Sequence, residues 1–352
     1  MSISTTESQL DFTQALLNWY DQFGRHDLPW QQQTSAYRVW VSEVMLQQTQ
    51  VQTVIPYYQR FMARFPSVED LAEASQESVL AHWSGLGYYA RGRNLWKTAG
   101  IVVKDYQGHF PKTLEEVMAL PGIGRSTAGA ILAIANQQRH PILDGNVKRV
   151  LCRYDAIDRW SGEKATQEQL WRRADQLTPY DRVADYTQAI MDLGATLCRR
   201  ANPLCEQCPV AENCQAWQKG VVSKYPVSKP KTIKPVRSAM VLLCCNEQGD
   251  VWLQQRPQSG IWGGLWSLPE FTGDRDLDQI LSAVESPVLN PNNLIKWPEF
   301  KHTFTHYHLL IQPLVVTNAL SVSLEGEWVS LPSALKRGLP APIRKLIEKL
   351  GE

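Results

Sequence analysis

No stretch of this 352-residue chain is apolar for the roughly 20 residues that a membrane-spanning helix needs. Its start, MSISTTESQLDF, has no basic head followed by an apolar run. Neither secretion nor membrane insertion is expected, and a bacterial cytoplasm is. Excess charge of one sign is also missing: 36 Lys and Arg against 35 Asp and Glu leave a net +1, which excludes a uniformly basic nucleic-acid binder and leaves local patches to decide. Cysteine is sparse and odd in number, seven in all. In a reducing compartment that count argues against disulfides and for free thiols or metal ligands. No fixed-period repeat is found. What is present, 43% hydrophobic residues over more length than one core usually holds, predicts two domains.

From Phe12 to Trp217 apolar residues recur at three and four, with Pro and Gly punctuating at Phe65-Pro66, Gly85 to Gly87, Phe110-Pro111 and Pro121 to Gly124. That period predicts a helical domain over residues 1–218 with no convincing strand. Residues 219–238, KGVVSKYPVSKPKTIKPVRS, carry six Lys or Arg, no acid and three prolines. This is the composition of an extended linker, assigned to 219–237. Beyond it, AMVLLCC, the turn NEQGD and VWLQQR read as two strands joined in a hairpin. FKHTFTHYHLLIQPLVV alternates as one long strand, and PAPIRKLIEKL reads as a closing helix. Residues 238–352 are therefore expected to form a small α+β domain.

Cys198, Cys205, Cys208 and Cys214 are spaced C-x6-C-x2-C-x5-C. Four thiolates so close suit one tetrahedral zinc or one iron-sulfur cluster, and spacing alone does not choose between them. The loop between them is polar, through Glu206, Gln207, Glu212 and Asn213, unlike a core segment. Cys152, Cys244 and Cys245 stand among apolar neighbours and read as packing.

Residues 112–136, KTLEEVMALPGIGRSTAGAILAIAN, read as helix, tight turn, helix, with the hairpin at about 113–136. Gly122 and Gly124 permit backbone angles that other residues resist, and the second helix should begin near Arg125 with unpaired amides facing out. Such a turn grips a phosphate without reading sequence, though an ordinary helix hairpin looks the same when it stands alone. GLGYYARGRN, residues 85–94, adds Tyr88 ahead of Arg91 and Arg93. Aromatic and basic residues in one glycine-flanked loop suit insertion into a base stack with phosphate clamped alongside.

The run VSEVMLQQTQ places Glu43 on a helix face with Val39, Trp40, Leu46 and Gln47. Desolvation there should raise its pKa and keep a proton available near neutral pH, as a general acid requires. Asp144, in PILDGNVKRVLCR, reads equally as a helix N-cap and as the second member of a two-carboxylate site for glycosidic bonds.

In this order SEVMLQQTQ, GLGYYARGRN, LPGIGRSTAG, LDGNVKRV and the four-cysteine spacing resemble the adenine-specific branch of the helix-hairpin-helix DNA glycosylases, a group similar to endonuclease III. The resemblance spans essentially the whole chain. It implies a mainly α helix-hairpin-helix glycosylase domain with a 4Fe-4S cluster on the loop 198–214, followed by an α+β Nudix-like domain. It implies that Glu43 protonates adenine and Asp144 stabilises the cationic sugar, in the manner of base-flipping enzymes. Trp30, Leu46, Gln48 and Gln188 match positions around the flipped adenine, and Gln47 and Tyr88 match residues that enter the duplex. Gly122, Gly124, Arg125, Ser126, Lys148, Arg91 and Arg93 are expected on the DNA backbone. Ser126 stands where lyase-competent relatives carry a lysine, and serine forms no imine, so an abasic site is the expected product.

SGIWGGLWSLPEF resembles the approach to a Nudix box, yet FTGDRDLDQILSAV follows in place of the metal-binding R-E-x-x-E-E helix, so no magnesium-dependent pyrophosphatase is expected. By the same resemblance Phe304, Thr305 and His306 stand where the family reads 8-oxoguanine, with threonine replacing the usual serine. The implied partner is double-stranded DNA containing adenine opposite 8-oxoguanine or guanine, bound by a monomer, with no membrane.

Overall fold

The computed structural model describes residues 5–230, 233–273, 280, 282–285 and 294–351. The chain divides into two compact units, Met1–Ala72 with Lys97–Lys231 and Glu73–Trp96 with Thr232–Glu352. Among the described residues no helix is long and apolar enough to cross a membrane.

The first unit is helical, as the three-and-four spacing predicts. Its elements include α1 (Thr5–Phe23), α2 (Ala36–Leu46), α3 (Val51–Arg64), α4 (Val68–Glu73), and, after α5 (Gln76–Trp83) and α6 (Ala90–Tyr106), α7 (Leu114–Ala119), α8 (Arg125–Asn136), α9 (Gly145–Tyr154), α10 (Lys164–Leu177) and α11 (Val183–Asp192). A π-helical turn, Leu193–Leu197, and the short α12 (Gln215–Gln218) complete it. Helix α8 is the hub. Ala128 to Ile134 are all buried, and small side chains on every face let α2, α7 and α11 pack closely against it. Thr113 is the N-cap of α7: its hydroxyl accepts from the Glu116 amide at 3.3 Å and donates to the Glu116 carboxylate at 2.6 Å.

The second unit holds a five-stranded mixed sheet ordered β4-β1-β8-β6, with β7 also on β8. Its strands are β1 (Val236–Cys244), β4 (Glu270–Thr272), β6 (Ile295–Lys296), β7 (Phe300–Thr303) and β8 (His308–Val316). A second sheet orders β10 (Glu327–Val329), β2 (Val251–Gln255) and β3 (Trp266–Ser267), and β5 (Val284–Glu285) pairs β9 (Ser321–Val322). Helices α13 (Leu331–Ala334) and α14 (Ala341–Leu350) follow, the latter burying Ile343, Leu346 and Ile347.

Two expectations change here. The strands flanking NEQGD do not form a ladder: β1 and β2 share a single bridge, Cys245 to Val251. Both hydrogen-bonding edges of β1 are taken, by β8 in parallel and β4 antiparallel, so β2 turns into the other sheet. The expected long strand 300–316 is likewise two strands. β7 and β8 pair antiparallel with Thr303 opposite His308, and the Phe304 amide donates to the Tyr307 carbonyl at 2.9 Å to close the turn between them.

Residues 73–96 also fold with these strands, which a contiguous division at the linker does not provide for. The Tyr89 hydroxyl donates to the Leu339 carbonyl at 2.9 Å and the Trp266 indole to Glu77 at 2.7 Å. The stretch 274–279, where the missing Nudix metal-binding helix would begin, lies outside the described residues, as do 231–232 of the linker.

Candidate active site

Helix α2 carries Glu43, α11 carries Gln188, and α8 begins beside Ser126, so packing on the α8 hub gathers residues that lie far apart in the chain. Glu43 keeps a little solvent-accessible surface. Protein nevertheless surrounds it deeply, and burial pushes its carboxyl from 4.5 up to about 8, with the negative charge of Asp144 adding to the effect. A carboxyl that is both reachable and deeply desolvated is the combination a cleft provides. It stays protonated at neutral pH.

Asp144 is the N-cap of α9, as its bland reading holds: one carboxylate oxygen accepts from the Val147 amide at 2.8 Å. The other accepts from the Asn146 side-chain amide at 3.1 Å. Asn146 in turn accepts from Arg149 at 2.7 Å, and Arg149 donates to the Cys198 carbonyl and the Gly194 carbonyl, each at 2.6 Å. Asp144 is thus fixed by the cap on one side and by a polar chain reaching the first cysteine on the other. Ser126 secures the approach, its hydroxyl accepting from the Leu143 amide at 2.9 Å.

Trp30 is buried, 5.4 Å edge-to-face from Tyr58. Its loop is held by Arg25, which binds Asp192 through the backbone amide at 2.8 Å and through the guanidinium. Leu46, Gln47 and Gln188 are half-buried, and Gln48 is exposed. Gln47 reaches Thr127 at 3.4 Å. Gln48 and Tyr88 both hold left-handed backbones, φ 59° and 48°. Non-glycine residues in that region are strained and gather at functional sites. Tyr88 is 47% exposed at the tip of its loop.

Between α7 and α8, Gly122 adopts φ 79°, which a side chain resists, and Gly122, Gly124 and Arg125 are exposed. The Arg125 guanidinium lies 4.1 Å over the Trp171 ring. Lys148 is half-buried on α9. Arg91 is placed differently from its expected backbone role. It is 8% exposed and donates to the Leu86 and Gly87 carbonyls, both at 3.1 Å, so it orders the Tyr88 loop from within. Arg93 donates to the Gly263 carbonyl at 2.6 Å.

Cys198, Cys205, Cys208 and Cys214 line one apolar cavity with Val150, Arg153, Leu197 and Trp217. Among the described residues no three His, Cys, Asp or Glu side chains gather as a shell for a single metal ion. Burial pushes the Cys208 thiol up to about 12, with Cys198, Cys214 and Cys205 adding to it against an opposing hydrogen bond from the Val210 backbone. Four soft donors facing a shared cavity fit a multi-atom cationic cluster that would hold them as thiolates. Arg153 supports the wall, donating to the Cys198 sulfur at 3.4 Å and to the Arg199 carbonyl at 2.7 Å. Sequence reasoning gave no role to Asn146, Arg149 or Arg153. The signal available was the four-residue spacing of the two arginines, which puts both on the face of α9 that meets the cysteine loop.

In the second unit Phe304 is half-buried, while Thr305 and His306 are exposed at the hairpin tip. The Thr305 hydroxyl lies 3.3 Å from His306 Nδ1, and Lys234 donates to the Phe304 carbonyl at 2.8 Å.

Residues 41–176 match the HhH-GPD superfamily of base excision DNA repair proteins, and residues 240–349 match the NUDIX domain. The chain is 38% identical to the adenine DNA glycosylase of Buchnera aphidicola subsp. Baizongia pistaciae over 97% of each chain. It is 39% identical to the adenine DNA glycosylase of Homo sapiens, over 90% of this chain and 67% of that one. A thermostable thymine-DNA glycosylase superposes with TM-score 0.56 at 25% identity, covering 62% of this chain and 100% of that one. An endonuclease III in complex with DNA, at 19% identity, shares the fold with TM-score 0.52 over 62% of this chain and 99% of its own.

Proposed function

The chain belongs to the adenine DNA glycosylases of base excision repair, and from that premise we propose that Glu43 and Asp144 carry out excision of adenine from mispairs with 8-oxoguanine or guanine. The observation that carries the assignment is the Glu43 carboxyl, protonated to about pH 8 by burial, with Asp144 as its charged neighbour. Glu43 gives its proton to a ring nitrogen of the flipped adenine. The bond from the base to C1′ breaks with its electron pair leaving on the base, and Asp144 faces the oxocarbenium-like sugar. Water adds at C1′, its proton returns to the protein, and an abasic site remains.

Ser126 supports a monofunctional enzyme. A hydroxyl forms no Schiff base, and this one already accepts the Leu143 amide. Trp30, Leu46, Gln48 and Gln188 are assigned to the adenine pocket, Gln47 and Tyr88 to the opened duplex, and the exposed turn at Gly122 to Arg125 to the phosphates. Arg93 and Lys148 are assigned to the DNA backbone.

The four cysteines are assigned a 4Fe-4S cluster, which would supply charge and a rigid wall there. Arg149 and Asn146 link the Cys198 carbonyl to Asp144. In the second unit the Thr305 hydroxyl is assigned to 8-oxoguanine. The oxidised base carries a proton on N7, where guanine has only a lone pair, so an accepting hydroxyl discriminates between them. A cytoplasmic monomer is sufficient, since one module holds one flipped base.

The test is adenine release from an adenine:8-oxoguanine duplex under enzyme excess, with strand breakage scored with and without alkali, beside Glu43→Gln. Free adenine with a break mainly after alkali, both absent in the variant, is expected. A comparable break without alkali would overturn the monofunctional reading, and tight binding with no adenine released would overturn the enzymatic roles.

A further inference from the structure

The Nudix approach segment persists in this chain although the metal-binding R-E-x-x-E-E motif that gives it a purpose is absent from the sequence, and its course is tightly built. Gly263 has no room for a side chain: a Cβ there would lie 2.8 Å from the carbonyl oxygens of both Gln258 and Ser259. The Gly264 amide donates to the Pro257 carbonyl at 2.9 Å, and Arg93 donates to the Gly263 carbonyl. Between Gly260 and Gly263 the chain holds Trp262 in a left-handed conformation, φ 58°, which a bulky aromatic residue rarely adopts. Strain of that kind persists only where the surroundings over-determine it.

The segment directs the Trp262 indole onto the 8-oxoguanine hairpin. The ring lies 5.1 Å from Phe304 and 5.5 Å from His302, and the Arg256 guanidinium sits over it at 5.6 Å while paired to Glu270 at 2.7 Å. Phe304 is enclosed on further sides by His302 at 4.6 Å and Tyr307 at 4.7 Å. The next residue is Thr305, exposed, with no ring of its own to fix it. Its hydroxyl lies 3.3 Å from His306 Nδ1, and the His306 ring is itself stacked toward Phe304 at 6.3 Å.

We propose that Trp262 is a positioning residue for the choice between 8-oxoguanine and guanine, acting through Phe304 to fix where the Thr305 hydroxyl stands. The remnant of a nucleotide-hydrolase loop serves here as a buttress for a base-reading hairpin. The inference rests on the assignment of Thr305 to 8-oxoguanine, and the experiment separates the two.

Single-turnover adenine release by the full chain is measured on duplexes with adenine opposite 8-oxoguanine and opposite guanine, and the ratio of the two rates is the readout. Loss of fold lowers both rates, whereas a displaced hairpin lowers the ratio. Thr305→Val is expected to lose most of the preference. Trp262→Ala is expected to lose about fivefold and Trp262→Phe to retain most of it, in line with the worth of one or two aromatic contacts. The double variant should be no worse than Thr305→Val alone, because two changes acting through one contact do not add. If Trp262→Ala keeps the preference while Thr305→Val loses it, or if the two losses multiply, Trp262 does not act through the hairpin and only this inference falls. If Thr305→Val keeps the preference, the assignment of Thr305 falls and this inference with it. Should Trp262→Ala not fold, Trp262→Leu is read in the same way.

Discussion

Glu43 in the helical unit and Thr305 in the C-terminal unit are each the polar centre of a candidate site, and they meet opposite physical demands. Glu43 is enclosed deeply enough that its proton persists to about pH 8, while Thr305 stands exposed on a two-stranded tip. An acid catalyst gains from desolvation, because its task is to hold a proton that water would remove. A reader of bases must stay accessible, and its accuracy comes from the rigidity of what lies beneath it. In the first unit that support is α8 and the polar chain from Asp144 to Cys198. In the second it is a pile of rings on Phe304.

The sharpest way to test this contrast is Glu43→Gln, which keeps shape and removes the proton. Adenine release should fall by about 10³-fold or more, within the range for losing a general acid, and a rate within tenfold of wild type would remove Glu43 from the chemistry. In the wild type the rate should decline as pH rises past about 8. Stability carries the opposite sign from that of an ordinary ion-paired carboxylate. The folded pKa exceeds the unfolded one, so Glu43 lowers stability progressively as pH rises from 4.5 to about 8. Glu43→Gln should therefore be more stable than wild type at pH 8 and closest to it at pH 4.5, as thermal melts across that range will reveal.

Asp144→Asn separates the cap from the chemistry. Asparagine caps a helix about as well as aspartate, so the melting temperature should hold while adenine release falls about 10²-fold for want of a charge facing the sugar. A variant that unfolds early would point to capping as the main role. Iron and acid-labile sulfide near four each per chain in the purified protein are expected from the cysteine loop, and their absence would return the site to zinc or to plain thiols.

Smaller effects belong to the exposed site. Thr305→Val should lower the preference for 8-oxoguanine by about tenfold, the worth of one hydrogen bond, and leave the melting temperature unchanged. A fall in stability would mean that the hairpin tip is structural and would blur the contrast with Glu43. Ser126→Ala, which removes the acceptor of the Leu143 amide, should cost about 1 kcal/mol in chemical denaturation.

Much of this was legible in the chain itself, because the signals are local. The period of three and four marked the helices, a glycine that tolerates positive φ marked the turn at Gly122, and an acid on an apolar helix face marked Glu43. Four closely spaced cysteines announced a shared site. Other features depend on partners distant in sequence. Alternating residues 300–316 read as one strand, since alternation has no way to register that Thr303 will pair with His308. The residues after Cys245 read as a hairpin, since pairing by β8 and β4 on the two edges of β1 is invisible locally. Arg91 read as a surface cation because charge is the default mark of exposure, yet the Leu86 and Gly87 carbonyls it satisfies draw it inward.

Periodicity and spacing in the sequence by themselves determined which segments are helical, that Glu43 lies on an apolar helix face, and where the four-cysteine set lies. Tertiary structure alone decided how deeply Glu43 is desolvated, which strand edges are taken, and that Trp262 bears on the loop before Thr305. Desolvation and edge pairing are properties of what surrounds a residue in space, and hydrophobic order along a chain encodes only which face it turns inward.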